Sequence, residues 1–150
     1  DTGSRGLGDV YKRQEYKDRS IVVSGDTVSL DVMTEYSKGV DVLFHDALAK
    51  PLIQEMEKIS EEIGNNIVSK VLFDIQDYHA NTVEVADIAR KAEVDLLVFY
   101  HLIPAPRNYI SEQMFLRGVD DIFTSYHVSE DGTLVSLPAG SDEILIDLID

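Results

Sequence analysis

Three short apolar runs limit what this chain can fold into more than any other feature: Ser20-Ile21-Val22-Val23, Val40-Asp41-Val42-Leu43-Phe44 and Val94-Asp95-Leu96-Leu97-Val98-Phe99-Tyr100. They are rich in β-branched or aromatic residues and almost free of polar alternation, which is the pattern of strands covered on both faces, as in a parallel sheet. Lys70 to Ile75 reads as a shorter fourth strand. Helical patterns lie between these runs. Pro51 opens a helix that carries Leu52, Met56, Ile59 and Ile63 on one face and ends at Gly64-Asn65-Asn66. Asn81 with Glu84 forms a capping pair before Val85, Ile88, Ala89 and Ala92. Asp131-Gly132 between Ser125–Val128 and Leu134–Leu137 predicts a hairpin. Strands alternating with helices give an α/β fold in one piece.

Composition narrows the function classes. At 44% hydrophobic the chain is too apolar for intrinsic disorder, and 150 residues suffice for a core. No apolar run approaches the ~20 residues of a membrane-spanning helix, so no membrane partner is expected. The absence of Cys removes disulfides, thiolate metal sites and cysteine nucleophiles together. A net charge of −15, from 28 acids against 13 bases, repels a phosphate backbone, and no local basic patch offsets it.

Residues 1–14 differ from the rest. They lack an apolar period, and Ser4-Arg5-Gly6-Leu7-Gly8-Asp9-Val10-Tyr11-Lys12-Arg13-Gln14 is what a transposase-type sequencing adaptor encodes when read as protein. This segment is expected to be a disordered scar outside the fold. The natural chain, residues 15–150, is then expected to enter at about Glu15 as a truncated domain.

Polar residues follow each strong run at once: Ser24-Gly25-Asp26-Thr27, then His45-Asp46, then His101. The carboxyl ends of strands are where open α/β sheets bind ligands. Carboxylate oxygen and neutral imidazole nitrogen suit Zn, Mn or Fe, and Gly25 is expected to allow a tight turn that places Asp26 beyond the sheet. Each residue also has an ordinary structural role. Asp26 can cap a turn, His45 and His101 can be hydrogen-bonded core histidines, His79 can orient the helix after it, and His127 can be a core or surface strand residue. Their common position at strand ends argues for a site.

In order and spacing, Ser24-Gly25-Asp26-Thr27, Val42-Leu43-Phe44-His45-Asp46-Ala47, Tyr78-His79-Ala80-Asn81 and Leu97-Val98-Phe99-Tyr100-His101 resemble the C-terminal half of metallo-β-lactamase-fold hydrolases, nearest the ribonuclease Z branch. The likeness runs from about Ser20 to Ser141. It implies half of a four-layer α/β/β/α sandwich with two divalent metal ions, Zn in first place and Mn or Fe as alternatives. By this resemblance Asp26 matches the metal-bridging carboxylate and His101 the terminal histidine ligand, while His79 pairs with Asp46 as the catalytic relay. The implied chemistry is cleavage of an ester or phosphodiester by metal-activated water.

The sequence departs from the family at three places. The family's His-x-His-x-Asp-His loop is absent, since the only histidines are His45, His79, His101 and His127. Position 46 is Asp where the branch carries the longer Glu, and Arg107 stands further from His101 than the branch's phosphate-binding Arg. The expectation is therefore a fragment of a metal-dependent hydrolase, itself inactive. The parent's substrate is a small ester, lactone or phosphodiester in preference to RNA; a homodimeric, cytoplasmic parent is the accompanying expectation. A sheet face bared by the missing half is expected to favour aggregation. The competing reading is a non-catalytic acidic α/β interaction module.

Overall fold

In the computed structural model, residues 11–27 and 31–149 are described. Five strands, β1 (Tyr11–Tyr16), β2 (Arg19–Ser24), β3 (Val42–Leu48), β4 (Leu96–Ile103) and β5 (Tyr126–Val128), form one sheet in the order β1-β2-β3-β4-β5. β1 pairs antiparallel with β2, and the other neighbours are parallel. Helix α1 (Asp31–Tyr36) lies in the connection from β2 to β3. The connection from β3 to β4 carries α2 (Lys50–Glu62), α3 (Asn66–Asp74), a 3₁₀ turn at Ile75–Asp77 and α4 (Thr82–Ala92). Helix α5 (Tyr109–Phe115) follows β4, and β6 (Thr133–Ser136) pairs antiparallel with β7 (Leu145–Leu148) as a separate ribbon.

The three expected strands are β2, β3 and β4, and both sheet faces receive cover. On one face Val22, Leu43, Leu97 and Phe99 pack with Met33 of α1, Val85, Ile88, Ala89 and Ala92 of α4, and Phe115 of α5. On the other, Val42, Leu96 and Val98 meet Val135, Leu137 and Ile144. The face expected to be bare is therefore partly covered by the chain's own C-terminal segment. Arg19 helps to hold that segment. Although nearly buried, it pairs with Asp41 at 2.8 Å and donates to the carbonyls of Ser141 and Glu143. Asp41 also accepts from the Ser20 N–H at 2.6 Å, while Arg19 Nε is buried without a hydrogen-bond partner among the described residues.

Several expectations are corrected. Lys70 to Ile75 is not a strand; most of it belongs to α3, whose N-terminus is capped by the Asn65 side chain accepting from Val68 N–H at 3.3 Å. A Lys70–Asp74 ion pair at i,i+4 spacing lies on the same helix. The hairpin around Asp131-Gly132 does not form either. β5 joins β4, while β6 turns away so that Val135 reaches the second sheet face, a burial that outweighs local hairpin pairing. Gly132 sits at φ +90°, where a Cβ would meet the Ile149 carbonyl oxygen at 2.3 Å, so this turn serves the β6–β7 ribbon. In α2 the expected apolar face is largely exposed at Met56, Ile59 and Ile63, and Ile53 is the buried anchor instead. Residues 1–10 of the segment expected to be disordered lie outside the described residues. Its last four, Tyr11–Gln14, belong to β1, because strand pairing uses backbone groups that any sequence supplies. Among the described residues no helix is long and apolar enough to cross a membrane.

Candidate metal centre

The site is built at the carboxyl ends of β2, β3 and β4. β2 runs out at Ser24, which leads to Gly25 and the exposed Asp26. β4 delivers His101 through a β-bulge: Asp46 pairs with Tyr100 but Ala47 pairs with Leu102, so His101 is the extra residue. Its φ of +47° is left-handed, a conformation His adopts more readily than most residues. A bulge of this kind re-aims a side chain. Here it brings His101 Nδ1 to 2.7 Å from Asp26 Oδ1, with both side chains open to solvent. The left-handed residue at the site is thus His101. Gly25, expected to turn through special backbone freedom, is not among the positive-φ glycines.

A second carboxylate–imidazole pair lies beside the first. Asp46, fully buried in β3, places Oδ2 2.8 Å from His79 Nδ1, so the shorter acid does reach. His79 sits just before α4, whose entry is fixed by the Glu84 carboxylate accepting from the Asn81 N–H at 3.3 Å. The His79 and His101 rings meet edge to face with centroids 5.2 Å apart, so the two pairs form one cluster. Asp46 has further ties. Its N–H donates to Ser24 Oγ at 3.1 Å, and Oδ2 accepts from the Thr27 N–H at 3.4 Å.

His45 is also fully buried, and its Nδ1–H donates to the Asp46 carbonyl at 2.8 Å, the core-histidine role. Its Nε2 is buried without a hydrogen-bond partner among the described residues. His127 is half-buried in β5, paired in register with Val98. Arg107 is exposed on the loop leading to α5, where its backbone N–H donates to Ser111 Oγ at 2.9 Å; among the described residues its guanidinium makes no hydrogen bond or ion pair to the cluster. Sequence reasoning gave no role to Tyr100, whose hydroxyl donates to the Ser24 carbonyl. Burial pushes this phenol's pKa up, against the hydrogen bond to Ser24, and the charges of Asp46 and Asp26 add to the rise, so it stays a neutral donor at ordinary pH. Its place at the end of an apolar run was the only signal available.

Carboxylate oxygen beside imidazole nitrogen is the donor chemistry that borderline divalent ions take. Asp26 and His101 fit such an ion in kind and in accessibility. They do not suffice in number. Among the described residues no group of three or more His, Cys, Asp or Glu is placed to hold a metal, whereas catalytic zinc sites take about three protein ligands. Beyond the cluster, a cavity of about 470 Å³ lies among Ala49, Leu52, Val83, Phe115 and Arg117.

No family model matches the chain. Ribonuclease Z of Mycobacterium tuberculosis (strain ATCC 25618 / H37Rv) is 32% identical over 93 residues, 62% of this chain and 30% of that protein. Ribonuclease Z of Mycolicibacterium paratuberculosis is 33% identical over 93 residues, covering 62% and 29%. The chain thus matches about 30% of the length of these curated relatives. In three dimensions it resembles the metallo-β-lactamase fold protein YhfI from Bacillus subtilis. The TM-score is 0.53 at 16% identity, over 79% of this chain and 40% of that one. By sequence the chain is ribonuclease Z-like, and by fold it is metallo-β-lactamase-like.

Proposed function

We propose that this chain contributes part of the active site of a metal-dependent hydrolase that cleaves an ester or phosphodiester. The observation that carries the reading is the convergence of Asp26 and His101 at 2.7 Å, beside the Asp46–His79 pair. Asp26 offers oxygen and His101 nitrogen to the metal. Buried Asp46 fixes the His79 ring through Nδ1, leaving Nε2 to pass a proton to the departing oxygen. Divalent ions bound there, Zn in first place and Mn or Fe as alternatives, would polarise the scissile bond and acidify a bound water. The remaining ligands belong to a longer parent chain, so these 150 residues are inactive alone.

Substrate choice has two readings. The acidic balance of 28 acids against 13 bases, with no basic patch, supports a small ester, lactone or phosphodiester. The relatives are named ribonuclease Z, which supports RNA, against a net charge of −15.

Calorimetric titration with zinc is the first test. The chain alone is expected to show no tight, stoichiometric binding, and tight binding would overturn the fragment reading. Joined to its upstream coding sequence, the protein is expected to hydrolyse bis(p-nitrophenyl) phosphate or precursor RNA. Asp26→Ala or His101→Ala is expected to lower that rate by more than a hundredfold, about 2.7 kcal/mol. An inactive parent, or variants at full rate, would leave the acidic interaction module as the better reading.

A further inference from the structure

We propose that Tyr100 is a positioning residue for Asp26, acting as a strap from β4 across β3 to the loop that leaves β2. Strand order fixes the geometry. Tyr100 is the register partner of Asp46 in β3, and β3 lies between β4 and β2. The Tyr100 hydroxyl nevertheless donates to the Ser24 carbonyl, the last residue of β2. The side chain therefore reaches across the strand between, at the level of Asp46, which is fully buried.

This contact changes what holds the Asp26 loop. Asp26 is exposed, and among the described residues its side chain is engaged only with His101, itself on a bulge. Ser24 is also paired with Tyr11 of β1, its Oγ accepts from the Asp46 N–H at 3.1 Å, and the Thr27 N–H reaches Asp46 Oδ2 at 3.4 Å. The Thr27 bond is long, and the Tyr100 hydroxyl adds a second hold at the loop's start. Tyr100 supplies a tie that starts one residue before His101, so a single stretch of β4 carries the second metal donor and anchors the loop of the first. A donor pair drawn from separate strands is useful only if both are held in register with each other. The strap stands on geometry alone; its purpose rests on the metal-site reading.

Tyr100→Phe deletes one hydroxyl and keeps the ring. Amide hydrogen exchange of the 150-residue chain reads the result. The Thr27 amide is expected to exchange about tenfold faster, a loss of ~1.4 kcal/mol of local protection, while Leu43 and Val98 amides in β3 and β4 keep their rates. An unchanged Thr27 rate overturns the strap. Equal acceleration at all three sites also overturns it, by reducing Tyr100 to a contributor to global stability. A second readout uses cobalt(II) alone: the concentration that half-broadens the His101 ring resonances is expected to rise several-fold in Tyr100→Phe, and an equal midpoint removes the positioning role. If the unsubstituted chain shows no cobalt effect at His101, the metal-site reading fails while the Thr27 measurement still decides the strap.

Discussion

Helix α4 and the α2–α3 pair belong to the same connection between β3 and β4, yet they relate to the core in opposite ways. α4 buries Val85, Ala86, Ile88, Ala89 and Ala92 against the sheet, with Glu84 capping its entry and Arg90 and Lys91 in its last turn. α2 and α3 bury little beyond Ile53 and Leu72, which meet Leu48 in a small cluster of their own. They leave Ile59, Ile63, Ile67, Val71 and Phe73 at least half exposed. Both segments are amphipathic by pattern. What separates them is contact with the sheet: α4 runs back along it, just after the loop carrying His79, whereas α2 and α3 pack mainly on each other. The well-anchored helix is thus the one that positions the candidate site.

Core and arm can be set against each other by mutation. Phe99→Ala, in the fully buried centre of β4, is expected to cost about 3–5 kcal/mol in chemical denaturation. Ile67→Ala on α3, where the side chain is 81% exposed, is expected to stay within ~0.5 kcal/mol. A cost near 2 kcal/mol at Ile67 would break the contrast and mean that α3 is covered in solution. A smaller effect sharpens the account of α4 itself. Glu84→Ala removes the acceptor of the Asn81 N–H and is expected to cost about 1 kcal/mol, with a slight loss of His79 ring order by NMR. No change in stability would show that sheet packing alone sets the helix start.

The smallest effect concerns pH. Hydrogen bonds from Lys91 first, then Arg90, hold the Asp87 carboxyl below its ordinary value of 3.8. A depressed carboxylate pKa stabilises the fold above the ordinary value, and that contribution fades as pH falls through the lowered one. Because the group faces water, the contribution is a surface one and salt screens it. The Asp87→Asn variant is expected to match the parent in thermal midpoint at low pH and to fall slightly below it at pH 7, a gap closing in high salt. A gap that persists in salt would mean that this end of α4 is buried by something further.

Much of the site could be read directly. Asp26, Asp46, His79 and His101 were each marked by their place after a strand or before a helix, and the structure gathers them into one cluster. The left-handed bulge at His101 was not legible, because a bulge is defined by a neighbour's register and no residue in Phe99-Tyr100-His101 announces one. Nor was the Tyr100 hydroxyl's partner legible, a backbone carbonyl 76 residues away in sequence. The fold divides the same way. Capping at Asn81 and the stop at Gly64 were local and were found; the helical state of Lys70–Asp74 and the partner of β6 were not.

The amino-acid sequence by itself determined the strand segments of β2, β3 and β4, the entry of α4, the acidic character and the polar residues at the strand ends, because each depends on residue type within one short window. Tertiary structure alone decided which strand β6 joins, which apolar helix face meets the sheet and how two carboxylate–imidazole pairs come to lie side by side. The reason is physical: burial and cross-strand hydrogen bonding are energies of pairs far apart in the chain, and short apolar runs such as Val71-Leu72-Phe73 satisfy more than one local conformation until those partners are in place.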